Sequence, residues 1–130
     1  MAQRKFLVAI DAPGITQAGT QVALAGVPRT ATLAYVSPVT WDASQYDMGI
    51  MTLGGNVTMG FANGSNGQMF RVRIKQGSPG GFTLTLTGCK LGTDLTAVTL
   101  STAVGATDYL GVVYNSDTGN WDVVSFARGF

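Results

Sequence analysis

The side chains that usually carry protein chemistry are sparse in this sequence. It has no histidine and no glutamate, its seven acids are all aspartate, and its single cysteine is Cys89. Without histidine the commonest general base, the commonest metal ligand and every Ser-His or Cys-His nucleophile pair are missing, which excludes most hydrolase mechanisms. One cysteine makes neither an internal disulfide nor a Cys-based zinc site, and Cys89 reads as a small apolar residue at a strand end. No Gly-rich loop with a following Lys joins a strand to a helix, so nucleotide binding has no support. The expectation is a protein with no cofactor and no metal.

Paired aspartates are the catalytic option that remains. Asp117-Thr118-Gly119 matches the active-site triplet of retroviral-type aspartic proteases, small all-β dimers in which two carboxylates share a proton. In those enzymes the triplet follows an apolar strand early in the domain. Here it follows Asn115-Ser116 and precedes Asn120-Trp121-Asp122 near residue 130. The plainer reading is a hairpin loop in which Asp117 bonds its own backbone and Gly119 takes a positive φ. Asn115, Asp117 and Asp122 could also be oxygen ligands for calcium, but their order matches no EF-hand and the closing Glu is missing. The expectation is therefore a non-enzyme, with an Asp-based protease as a remote alternative.

Binding chemistry is better represented. Arg71, Arg73 and Lys75 alternate with Phe70, Val72 and Ile74, which puts the cations on one strand face at successive spacings of about 6.6 to 7 Å. They are three of the eight cations in the chain. One reading is a solvated face, and the other is a contact surface for an acidic partner subunit. No aromatics interleave on that face to stack on bases, and the net charge is +1, so neither nucleic acid nor an anionic membrane is expected as a partner. Trp121 beside Asp122 reads as a core or rim aromatic; a sugar-stacking role would require it to be exposed.

The elements that must position these residues are strands. Gly reaches 18 and Thr 16, helical periodicity is nowhere sustained, and charged residues are only 12% of a 45% hydrophobic chain. At 130 residues the chain fits one domain with a real core. So little charge leaves the surface to Thr, Ser, Asn, Gln and Gly or puts it in contact with partners. Runs with period-2 alternation, separated by turn residues, occur near residues 39–41 and at 47–53, 56–61, 68–76, 82–88, 96–100, 108–114 and 121–126. Gly54-Gly55 reads as a compact hairpin signal. These features predict an all-β fold, an antiparallel sandwich of about eight strands, jelly-roll-like. Phe70, Val72, Ile74, Leu84, Leu86, Leu110 and Val112 are the expected core. The chain shows no internal repeat of fixed period.

Pro13, Pro28 and Pro38 fall in a first stretch without long alternation, so residues 1–38 read as an extended N-terminal arm and residues 39–130 as the sandwich domain. Short strand pieces are expected in the arm at residues 5–10, 20–25 and 32–35. The apolar residues at the start are interrupted by Asp11 and Pro13 before a signal sequence could form, and no run approaches a membrane span, so the chain is expected to be made and kept without export. Asn56-Val57-Thr58 and Asn63-Gly64-Ser65 then read as turns rather than glycosylation sites. Arg4, Lys5, Phe6 and Val8 are candidate partner-binding residues: the alternation of residues 5–10 can add a strand to an exposed sheet edge, or it can be the first strand of the same sandwich.

Three segments in order carry a resemblance. They are Leu53-Gly54-Gly55-Asn56-Val57-Thr58, the stretch from Gly67 through Gln76-Gly77 with Pro79-Gly80-Gly81, and Thr107-Asp108-Tyr109-Leu110-Gly111-Val112-Val113-Tyr114 with Asn120-Trp121. Residues 38–130 thereby resemble the small β domain that recurs in virion structural proteins of tailed bacteriophages, at the ends of tail fibres and appendages and as free-standing head proteins. The start Arg4-Lys5-Phe6-Leu7-Val8 is similar to the starts of some phage tail and head proteins. The resemblance implies a particle component, usually a homotrimer, that contacts the major capsid protein or other virion subunits after assembly in the host cytoplasm. A capsid decoration, or cement, protein suits a short chain with an arm; a tail fibre or appendage tip that binds host-surface carbohydrate is the alternative.

Overall fold

Most of the alternating runs become strands that give one face to a common interior. The computed structural model describes residues 26–130, together with the backbone of two short paired strands, β1 (Ile15–Gln17) and β2 (Thr20–Val22). The remaining strands are β3 (Thr30–Leu33), β4 (Val39–Asp42), β5 (Met48–Leu53), β6 (Val57–Ala62), β7 (Met69–Gln76), β8 (Leu84–Leu86), β9 (Cys89–Leu91), β10 (Thr107–Asn115) and β11 (Asn120–Ala127). The described residues contain no helix, and so none long and apolar enough to cross a membrane.

From β3 to β9 the chain alternates between two sheets. A six-stranded sheet has the order β3-β5-β7-β10-β11-β9, and a three-stranded sheet has the order β4-β6-β8. The pairs β3/β5, β5/β7, β4/β6, β6/β8 and β9/β11 are parallel, whereas β7/β10 and β10/β11 are antiparallel. The described fold is all-β as expected, but its larger sheet is mixed and its smaller one parallel, which corrects the expectation of antiparallel pairing.

The reason lies in the corners. Gly54-Gly55 is not a hairpin: neither residue has the positive φ that the tight hairpin turns require. Their missing side chains instead make room for Tyr35. A Cβ on Gly55 would lie 2.6 Å from the Tyr35 hydroxyl, which donates to the Asn56 carbonyl at 2.6 Å. The chain therefore turns out of one sheet into the other, and Met51 and Leu53 of the first and Val57 and Met59 of the second are buried in the same core. The run at residues 82–88 likewise ends in a corner, where Gly88 has φ +66°, and β8 and β9 fall in different sheets. Residues 96–100, expected as a strand, are irregular, although Leu100 is buried and Val98 packs on the core.

Both sheets contribute to one core. Trp41 and Phe61 of the smaller sheet stand 6.1 Å and 5.5 Å from Phe70 of the larger, and Phe61 also lies 5.5 Å from Trp121. Phe70, Val72, Ile74, Leu110 and Val112 are buried as expected, while Leu84 and Leu86 are partly buried against them. Two close approaches depend on glycine. A Cβ on Gly49 would sit 2.6 Å from the Trp41 ring, and one on Gly64 would sit 2.4 Å from the Trp121 ring. The Trp41 indole N–H is buried without a hydrogen-bond partner.

Two polar clasps fix what apolar packing leaves free. The Arg29 backbone N–H and guanidinium donate to the Asp47 carboxylate at 2.8 to 3.2 Å, tying the start of β3 to that of β5. Buried Asp108 accepts from the Ser101 N–H and hydroxyl and from the Gly129 N–H, gathering the loop before β10 and the chain end onto that strand. Thr30–Leu33, inside the segment expected as an arm, is thus an edge strand of the large sheet.

Candidate interaction surface

The outer face of the six-stranded sheet brings the expected cations together. Along β7 the side chains of Phe70, Val72, Ile74 and Gln76 are buried, so Met69, Arg71, Arg73 and Lys75 point outward. Register with the flanking strands gives each cation its neighbours: Arg71 lies between Met48 and Gly111, Arg73 between Ile50 and Tyr109, and Lys75 between Thr52 and Thr107. The chain end completes one side of this face. Phe130 exchanges two backbone hydrogen bonds with Thr107, at 2.9 and 3.0 Å, and its ring meets that of Tyr109 edge-on at 5.5 Å. Arg73 and Lys75 thereby line an open groove whose other walls include Ile50, Tyr109 and Phe130.

Among the described residues, no acid lies within ion-pair distance of Arg71, Arg73 or Lys75; the ion pair found is Arg29 with Asp47. Asp47 is the acid nearest in influence to Arg71, and its carboxyl is held below the ordinary carboxylate range mainly by the Arg29 hydrogen bonds, with the Arg71 charge a smaller contribution. Asp122 lies further along the same face, opposite Val113 and Lys90. Three successive like charges repel by only about 0.6 kcal/mol per neighbouring pair in water, so the stripe is cheap to hold in the free protein and attractive to an incoming anion. Apolar surface accompanies it: Met69 is 50% exposed and Phe130 70%. A partner that matches this face must bring both negative charge and apolar contact.

The other candidates resolve differently. Arg4, Lys5, Phe6 and Val8 lie outside the described residues. Asp117 is exposed in the turn between β10 and β11, where Gly119 has φ +72° as expected, but the side chain that closes the turn is that of Asn115, whose Oδ1 accepts from the Asp117 N–H at 2.9 Å. Among the described residues no three His, Cys, Asp or Glu side chains cluster to hold a metal. Trp121 is buried against Tyr114 and Phe61. Cys89 is half-buried, and burial pushes its thiol up to about 11. The groove partners of Arg73 and Lys75 were not singled out from sequence. Tyr109 was within reach, because Leu110 and Val112 inward force it outward, whereas Phe130 joins the site only through a backbone clip to Thr107.

Compared with protein-family models, curated proteins and solved structures, the chain matches none.

Proposed function

We propose that this chain is a structural subunit of a tailed-bacteriophage virion, a capsid decoration protein that assembles with copies of itself as a homotrimer and binds the head shell. The two facing sheets are then a β-sandwich, the expected arm shortened to the residues before β3, and the protein catalyses nothing. The observation that carries the reading is the stripe of Arg71, Arg73 and Lys75, with no acid at ion-pair distance among the described residues, flanked by exposed Met69 and Phe130. A shell subunit presenting acidic and apolar groups would complete that face, and copies arrayed on a lattice would gain avidity from many weak contacts. The resemblance of residues 38–130 to phage virion domains supports the same reading.

Replacing Arg71, Arg73 and Lys75 together by Glu tests it. With head shells stripped of this protein as the probe, co-sedimentation should show binding weakened at least tenfold, while far-ultraviolet circular dichroism keeps its β signature. A folded triple variant that binds shells as well as the wild type would end the proposal. A second reading has its own observation: the groove beside Arg73 and Lys75 is walled by the aromatic pair Tyr109 and Phe130, which suits a sugar ring carrying a carboxylate. An appendage tip that binds host carbohydrate would show saturable glycan binding lost on Tyr109→Ala, with no binding to shells.

A further inference from the structure

The cation stripe has a spacing as well as a charge. Along β7, Arg71, Arg73 and Lys75 stand at every second residue on the outer face, so the charges repeat about every 6.6 to 6.8 Å over three positions. Six of the seven acids in the chain lie among the described residues, and none of the six is at ion-pair distance from the stripe. The seventh, Asp11, brings one charge against three. The chain therefore holds too little negative charge near the stripe to complete it. Apolar groups stand at both ends of it. Exposed Met69 precedes Arg71 on the same face, and the groove beside Arg73 and Lys75 is walled in part by Ile50, Tyr109 and exposed Phe130.

What fits such a face repeats its own charges at the same interval. An extended segment does, because its alternate side chains point the same way about 6.6 to 6.8 Å apart. An α-helix does not: its same-face residues come every three or four positions, about 4.5 to 6 Å apart along the axis, and drift out of step over three charges. We infer that the outer face of β7 receives an extended segment of a partner protein, with acidic residues at three alternate positions over Arg71, Arg73 and Lys75 and a large apolar residue two positions beyond, seated in the groove against Tyr109 and Phe130. The charges steer the segment and set its register, whereas the apolar residue supplies the larger share of the affinity, because exposed ion pairs are individually weak. The inference rests on the reading of the chain as an assembling subunit and names the chemistry of the partner that this face takes.

The probe is a fluorescein-labelled peptide, Phe-Thr-Glu-Thr-Glu-Thr-Glu-Thr-Phe, whose symmetry lets it run in either direction along β7. Its control, Phe-Thr-Thr-Glu-Glu-Glu-Thr-Thr-Phe, has the same composition without the alternation. Fluorescence polarisation with the full chain should show saturable binding of the probe, with a Kd of about 100 μM or tighter, and at least tenfold weaker binding of the control. Arg73→Glu should weaken the probe at least tenfold while far-ultraviolet circular dichroism keeps its β signature. Tyr109→Ala should weaken it at least fivefold, but should weaken a probe with Ser in place of both Phe less than twofold, a difference that misfolding would not produce. Equal binding of probe and control, binding untouched by Arg73→Glu, or no binding at about 1 mM protein would overturn the inference. Polygalacturonate bound where the peptide is not would overturn it in favour of the carbohydrate reading. Failure of the segment is distinguishable from failure of the shell-binding reading: shells that bind while the probe does not remove the segment alone, and a probe that binds as expected while shells do not leaves the segment standing.

Discussion

From Thr30 to Leu86 each strand finds its sheet neighbour far away in sequence and pairs with it in parallel. From Thr107 to Ala127 two long strands are joined by the turn at residues 116–119 and pair antiparallel. The first region cannot take register from a turn, because each corner sends the chain into the other sheet. Side chains that bridge successive layers set it instead. Tyr35 reaches the Asn56 carbonyl, the Ser37 hydroxyl accepts from the Thr58 N–H, the Asn56 side chain accepts from the Thr83 N–H, and Arg29 clasps Asp47. The second region is organised locally by Asn115, whose side chain accepts from the Asp117 N–H and donates to Asp122 at 3.3 Å. The two regions should therefore fail differently under substitution: bridging side chains matter in the first, turn backbone in the second.

The largest effect should come from Trp41, which packs against the Gly49 backbone and Phe70 and joins the two sheets within the parallel region. Trp41→Ala should cost about 3 to 5 kcal/mol in equilibrium denaturation, the usual range for emptying a large aromatic site. Trp41→Phe should cost about 1 kcal/mol or less, because it also removes the buried indole N–H that has no partner. Equal losses for the two variants would show that the indole itself, and not the volume a ring fills, decides stability at this position.

How much of this was legible in the sequence follows the same division. The β10/β11 hairpin and the inward faces of β7 and β10 could be read directly, because alternation and the Asn115-to-Asn120 turn chemistry are local signals. The outward placement of Arg71, Arg73 and Lys75 came with them. The parallel region was not legible, since a Gly-Gly corner and a Gly-Gly hairpin look alike until φ is known and until something such as Tyr35 is seen to need the space. Its layers also hide from a search for repeats. Paired residues in successive layers lie 18 apart at Thr30/Met48, 20 at Val39/Met59, 23 at Met48/Arg71 and 27 at Val57/Leu84. Loops of unequal length erase any fixed period.

A smaller effect, with a pH signature, belongs to the Arg29–Asp47 clasp. Hydrogen bonds from Arg29 hold the Asp47 carboxyl below its ordinary value. A depressed carboxyl contributes stability that is fully present above its unfolded value, near 4, and lost as pH falls through the folded value. Stability measured by denaturant titration should thus decline below about pH 4 in the wild type. Asp47→Asn should lower stability at pH 7 by about 1 to 2 kcal/mol, as for a partly covered charged hydrogen bond, and should flatten the acid decline. An unchanged acid limb in the variant would place the sensitivity elsewhere, with Asp42, whose carboxyl is lowered mainly by the Ser44 hydroxyl, the next group to test.

The smallest effect sharpens the comparison most, because it concerns the residue whose sequence context looked most chemical. Asp117 is exposed, and what the turn uses is its backbone N–H, which Asp117→Ala retains. That substitution should change stability by no more than about 0.5 kcal/mol, within the range for surface positions free of special features. Asn115→Ala deletes the acceptor of that N–H and the donor to Asp122, and should cost about 1 kcal/mol. Equilibrium denaturation of the two variants side by side reads the difference directly. If Asp117→Ala proves the more destabilising of the two, the turn is held by the aspartate side chain rather than by Asn115, and the local account of the β10/β11 hairpin fails at its centre.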